Sequence, residues 1–293
     1  MVGWERGRKV RDDGTTLVLG GGGPLGAAWL AGMLAGLAAA GGRAAEVVAS
    51  GRLLGTSAGA VLGARLAAGT SAVELYRRQL EGADRIDLTV TARQSAGFLW
   101  AALGSRTSQG SARRLGRAAL AVRSAPPYAA RDAVVGLLGD VRAWPDRPLR
   151  VVAVDARTGE PAAFDAASGV TLLDAVAASC AVPVVWPAVT VAGRQWIDGG
   201  VRSTTNCALA GGARRVVVLA PVPKPPGPHR TAAEEAAALA RGGARVTVIS
   251  PDRETRRVMG RNMADAARAA ATARAAHAQA TRHLADVART ADA

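Results

Sequence analysis

The sequence predicts an α/β layered fold, and three observations carry that expectation. Short continuous apolar runs recur along the 293-residue chain, at Thr15–Leu19, Leu149–Ala153 and Arg215–Leu219. Unbroken runs of this kind belong to parallel strands covered on both faces, because half-solvated strands would alternate. Helix-like stretches follow the strands, and glycine-rich turns sit at the joins, so strand and helix alternate in chain order.

Taken in order, Thr15–Leu19 is the first strand and ends in the turn Gly20–Gly23. Ala27–Ala40 is apolar nearly all round, as a buried helix is. No charge occurs from Gly14 to Gly42, a length that would suit a membrane span, but four consecutive glycines and Pro24 interrupt it. Arg52–Leu54 ends a second strand, and Ala58–Ala68 continues as another apolar helix. Arg85–Ser124 shows no regular pattern and is read as a mobile cap. Tyr128–Ala143 has amphipathic helical spacing and stops before Pro145. Pro221–Pro228 reads as an extended, exposed connector. Beyond it come a short helix at Thr231–Arg241, a candidate strand at Val246–Ile249 and a long Ala/Arg helix at Asn262–Arg289. The last should pack along the outside, its apolar positions being mostly alanine. No internal repeat occurs. The chain is therefore read as one domain over 1–293, with a core at about 15–220 and an Ala/Arg-rich helical extension at about 229–293.

Composition narrows the function classes. The formal charge of +14 is almost all arginine, with lysine only at Lys9 and Lys224. No basic stripe interleaved with aromatics and no zinc-finger or helix-turn-helix signature accompanies it, so nucleic acid is not an expected partner. The charge leaves peripheral contact with anionic lipid headgroups open. The two cysteines, Cys180 and Cys207, make neither a metal cluster nor a disulfide framework, so a cytoplasmic setting is expected, with no metal or cofactor.

Gly55-Thr56-Ser57-Ala58-Gly59 is a G-x-S-x-G pattern between a strand and a helix. Small residues either side of the serine permit a sharp turn that presents its hydroxyl at a helix N-terminus. There the dipole and free N–H groups favour the negative charge of acyl transfer. Read blandly, it is a close-packed glycine turn.

Gly21-x-Gly23-x-x-Gly26 follows the first strand directly and admits three readings. A dinucleotide fingerprint would want an acid about 20 residues on, at the end of the second strand. Glu46 has that spacing but precedes Val47-Val48 instead of following them. The loop can also be an oxyanion hole with donors from Gly21, Gly22 and Gly23, since Pro24 has no N–H, or a turn with no ligand.

A serine nucleophile needs a base. His229 sits in the proline-rich connector, and His277 and His283 sit in the Ala/Arg helix, none of them on a loop after a strand. A Ser–Asp–His triad of the α/β-hydrolase kind is thus the second choice, although the chain order suits it. Asp198, in Gln195-Trp196-Ile197-Asp198-Gly199-Gly200, is the better candidate, because Gly199 and Gly200 let its carboxylate approach another backbone segment. A carboxylate is a weak base, so the dyad would need a site shielded from water. An Asx turn is the bland alternative.

Three motifs, Gly21–Gly26, Gly55–Gly59 and Asp198-Gly199-Gly200, stand in the order of the patatin-like phospholipase family, which the chain resembles over about Thr15–Leu219. Ala178-Ser179-Cys180-Ala181-Val182-Pro183 also looks like the family's stretch leading to its aspartate. The resemblance implies a three-layer α/β/α sandwich with a mainly parallel central sheet. It implies hydrolysis of lipid or phospholipid esters by a dyad of Ser57 and Asp198, with the Gly21–Gly23 backbone as oxyanion hole. One position departs from the family, which usually has Arg or Lys where this chain has Leu25, so a preference for neutral esters is expected. The acyl chain is expected against the charge-free wall Val182–Trp186 and the segment near Phe98. Besides the triad, a nucleotide-binding module and a catalytically silent lipid-binding protein are the rival readings.

Overall fold

The computed structural model describes residues 14–85, 90–122, 125–126 and 128–291. Its centre is one eight-stranded sheet. The strands are β1 (Thr15–Leu19), β2 (Arg52–Thr56), β3 (Leu149–Asp155), β4 (Pro161–Phe164), β5 (Val189–Val191), β6 (Arg194–Asp198), β7 (Arg215–Leu219) and β8 (Arg245–Ile249). They lie in the order β5-β6-β3-β2-β1-β7-β8, with β4 beside β3. The five strands from β3 to β8 along that path are parallel, while β4, β5 and β6 form an antiparallel edge.

The first half of the chain carries α1 (Gly23–Ala39), α2 (Gly42–Ser50), α3 (Ala58–Ala67), α4 (Ala72–Glu81), α5 (Ala92–Leu103), α6 (Ser108–Leu120) and α7 (Ala129–Leu138). The second carries α8 (Leu172–Cys180), α9 (Ala232–Arg241), α10 (Arg253–Met259), α11 (Ala269–Ala280) and α12 (Leu284–Ala291). Every residue of β1 is buried, as its unbroken apolar run requires. Successive side chains leave a strand on opposite faces. Leu17 and Leu19 therefore join the core under α1 and α8, whereas Val18 points to the opposite core with Val216, Val218 and Ala232 of α9. Helices cover both faces, and the architecture is the α/β/α sandwich with a mainly parallel sheet.

Three expectations need correction. Residues 92–103 and 108–120 are not an irregular cap but the helices α5 and α6, opened by the caps Thr91 and Thr107. They bury Ala101, Ala102, Ala112 and Leu115 against Val154 and Ile197 of the sheet. Residues 86–89, 123 and 124 of that segment lie outside the described residues. The long C-terminal helix is broken into two α-helices joined through a 3₁₀ turn at Thr281–His283. The α11 segment does not lie loosely outside either, since Ala273, Ala276 and Ala280 are fully buried and Gly32 and Gly36 of α1 let the two backbones meet. Finally, Pro221 is buried against the glycine loop after β1 rather than exposed. Among the described residues, no helix is long and apolar enough to cross a membrane.

Candidate active site

The register of the sheet brings Ser57 to Asp198. Thr56 is level with Val152 of β3, and Ala153 of β3 is level with Asp198 at the end of β6. The carboxyl end of β2 and the end of β6 thus flank β3 at the same height, and the first residue past β2 is Ser57. Ser57 Oγ donates to Asp198 Oδ2 at 2.7 Å, across 141 residues of sequence.

Ser57 sits in a tight turn with φ 53° and ψ −120°. The turn presses α3 onto β1 so closely that a Cβ on Gly59 would lie 2.0 Å from the Leu19 carbonyl oxygen, and one on Gly55 2.6 Å from Ala60 Cα. Only glycine fits at the flanks of the serine, which is the physical content of the G-x-S-x-G spacing. The Ser57 N–H donates to Ser179 Oγ at 2.8 Å, and Ser179 in turn donates to the Val152 carbonyl at 2.6 Å.

Asp198 divides its carboxylate. Oδ2 accepts from Ser57, and Oδ1 accepts from the Gly200 N–H at 2.6 Å. The Asx turn and the serine contact are therefore not alternatives, because one oxygen serves each. A Cβ on Gly199 would meet the Val152 carbonyl at 2.5 Å, so glycine is required for this approach as well. Burial pushes the Asp198 carboxyl up to about 6, against the opposing hydrogen bonds from Ser57 and Gly200. The Cys180 thiol beside it is raised by burial and by the Asp198 charge. Asn206 ties the two halves together, its Nδ2 donating to Thr56 Oγ1 and to the Gly199 carbonyl, both at 3.1 Å.

The glycine loop differs in one respect from expectation. The Gly21 N–H is already directed at the Thr204 carbonyl, 2.7 Å away, so it is not a donor to the site. Gly21 serves instead by being small, since its Cβ would lie 3.2 Å from Ser57 Cβ. Gly22 and Gly23 enter the first turn of α1, where amides have no partner within the helix. Ala58 stands likewise at the first turn of α3. Gly26 donates to the Gly22 carbonyl, and the Leu25 N–H to the carbonyl of Met263 at 3.1 Å. The Leu25 side chain is fully buried in the core.

A cavity of about 290 Å³ opens beside Ser57. Val61, Leu62, Val134, Leu137, Val182 and Trp186 line it, together with Ala266, Ala267, Ala269 and Ala270. Arg65, Gln79 and Asp84 also line it, and the buried Arg65 and Asp84 side chains are paired at 2.8 Å. Val182 and Trp186 are where the sequence predicted a wall, but Phe98 packs under the sheet with α5 and α6 and takes no part. Ser179, Asn206 and Met263 were not singled out by sequence reasoning. Ser179 carried a faint signal, as a polar residue inside an apolar helix.

The rival constellations do not assemble. Among the described residues, no histidine is hydrogen-bonded to Ser57 or Asp198. His229 is buried between Ser108 and Ser111, His277 stacks on Tyr76, and His283 contacts Gln279 and Asp286. Glu46 is exposed on α2, before β2, and paired with Arg43, so it does not stand at the carboxyl end of β2 where a ribose would need it.

Comparison with solved crystal structures finds VipD from Legionella pneumophila, 13% identical with a TM-score of 0.49, covering 93% of this chain and 67% of that one. The type III effector protein ExoU is 16% identical with a TM-score of 0.43, covering 93% of this chain and 53% of that one. A chain of the full-length SpcU–ExoU complex from Pseudomonas aeruginosa is 16% identical with a TM-score of 0.44, covering 97% and 54%. This chain thus spans about two thirds of VipD and about half of the ExoU chains. No curated protein matches. The family model for patatin-like phospholipases matches residues 17–210, a span that contains the glycine loop, the Ser57 turn and Asp198-Gly199-Gly200. With the sandwich fold and two thirds of its length covered by that match, the chain belongs to the patatin-like phospholipase family.

Proposed function

We propose that the protein is a lipid acyl hydrolase that cleaves carboxylic ester bonds, with Ser57 as nucleophile and Asp198 as general base. The observation that carries this reading is the 2.7 Å bond from Ser57 Oγ to a buried carboxylate beside an apolar cavity. Ser57 Oγ attacks the ester carbonyl carbon while its proton passes to Asp198 Oδ2. The carbonyl oxygen becomes an oxyanion, accepting from the amides of Gly22 and Gly23 and from Ala58 at the start of α3, where two helix dipoles converge. Collapse expels the alcohol, which takes the proton from Asp198, and leaves the acyl group on Ser57. Water then attacks the acyl-enzyme, gives its proton to Asp198 and releases the fatty acid, and Ser57 recovers its proton. A carboxyl raised to about 6 is a stronger base than an exposed one yet remains ionised at neutral pH, which is what the first step needs. The apolar cavity suits the acyl chain, and no residue in this scheme calls for a metal or cofactor.

Labelling by a fluorophosphonate probe tests the reading without requiring the natural substrate. The parent should label and hydrolyse p-nitrophenyl butyrate, and Ser57→Ala should do neither while keeping its circular dichroism spectrum. Exchange of His229, His277 and His283 for glutamine should leave labelling within a few-fold of the parent. Labelling that survives Ser57→Ala, or vanishes in the folded histidine variant, overturns the dyad.

A further inference from the structure

The helix pair α5–α6 is amphipathic in an inverted sense. Its inner face is already satisfied, with Ala101, Ala102 and Leu115 buried against the sheet. Its outer face is apolar too: Leu99, Trp100 and Leu103, at helical spacing on α5, are 46%, 72% and 63% exposed. Three large apolar side chains grouped on one face mark an interaction surface, whereas the same side chains scattered singly would not.

The charges around them decide the partner. From Thr91 to Val122 the chain carries Arg93, Arg106, Arg113, Arg114 and Arg117 and no aspartate or glutamate. Arg93, Arg106, Arg113 and Arg117 are exposed, and the Arg114 guanidinium lies over the Trp100 ring at 4.3 Å from its centroid. Glu160, from the β3–β4 side, accepts from Gln109 of α6. Five arginines with no acid in their own segment leave the face net basic, so a second copy of it would be repelled. An indole backed by a guanidinium and flanked by leucines suits the boundary between headgroups and acyl chains, where the apolar groups enter and the arginines stay with phosphate.

We propose that the outer face of α5, with the arginines of α6, docks the protein on the anionic surface of a lipid bilayer. The surface is joined to the cavity by one loop, since Gln94 of α5 donates to the Val184 carbonyl at 3.1 Å, between the cavity residues Val182 and Trp186. That link bears on the hydrolase reading above, but docking itself does not depend on Ser57.

The test is co-sedimentation of the Ser57→Ala protein, which leaves lipid intact, with vesicles of phosphatidylcholine alone or mixed with phosphatidylglycerol. Binding should favour the mixed vesicles and weaken with added salt. Leu99→Ser/Trp100→Ser/Leu103→Ser should weaken it by about 100-fold. Arg113→Gln/Arg117→Gln should weaken it on mixed vesicles by about 25-fold, each arginine near an anionic surface contributing about five-fold, and change little on phosphatidylcholine alone. Both sets placed in the Ser57-containing protein should leave hydrolysis of soluble p-nitrophenyl butyrate unchanged. Undiminished binding by the folded triple variant overturns the proposal, as does a parent dimer that this variant abolishes. A parent inert toward the soluble ester while binding vesicles would sink the hydrolase reading alone.

Discussion

The Ser57 amide donates to the Ser179 hydroxyl at 2.8 Å, and through it the turn after β2 is tied to the Val152 carbonyl of β3. Ser57 has a positive φ of 53°, a conformation that costs about 1–3 kcal/mol for a residue with a side chain and persists only where its surroundings impose it. Ser179 is one of the groups that impose it. Ser179→Ala leaves a buried N–H and a buried carbonyl without this partner, so it should destabilise the fold by about 1–3 kcal/mol in chemical denaturation. Turnover of a soluble ester should fall by about tenfold to a hundredfold with KM little changed, because the hydroxyl of Ser57 is misplaced rather than lost. An unchanged kcat would mean that the turn is held without Ser179.

Asp198 predicts a pH profile with a definite sign. With Asp198 as the proposed general base, which must be ionised to act, hydrolysis should fall as pH drops through about 6 and stay flat above neutrality. The folded-state value lies above the ordinary 3.8, so the native state holds this proton more firmly than the unfolded chain does. Stability contributed by the protonated carboxyl is therefore full below 3.8 and is lost as pH rises to about 6. At neutral pH the buried carboxylate is a liability. Asp198→Asn should lower kcat by about 10²–10⁴ and raise the Tm at neutral pH. An acid limb that stays near 6 in Asp198→Asn would assign it to another group.

The contact between α1 and α11 predicts that the C-terminal segment is integral to the site. A Cβ on Gly32 would lie 2.2 Å from the Ala273 carbonyl oxygen. Gly32→Val should force α11 away and cost at least about 1–3 kcal/mol, read as a lowered Tm. The same displacement carries off the cavity lining at Ala266, Ala267, Ala269 and Ala270 and the Met263 carbonyl that accepts from Leu25. Activity at a temperature where the variant is still folded should therefore fall as well, and should fall more for longer acyl esters. A variant as stable and as active as the parent would show that α11 is dispensable.

The sequence by itself determined the parts whose physics is local. Unbroken apolar strands, the glycines flanking Ser57 and the two after Asp198 each follow from a backbone that must turn or approach closely, and such needs are written in adjacent residues. The sandwich fold, the Ser57 turn and the Asp198 turn were legible for that reason. Tertiary structure decided what depends on a partner far along the chain. The β2–β3–β6 register sets Ser57 against Asp198, and only the fold shows Gly21 engaged by Thr204, which removes one expected donor. The scattered polar residues of 92–120 masked two helices, because their apolar spacing is built from alanine and is dilute in the sequence. Alanine is also why the C-terminal segment read as an outer helix. Its small side chains give little amphipathic signal, yet they let α11 approach α1 closely enough to wall the cavity.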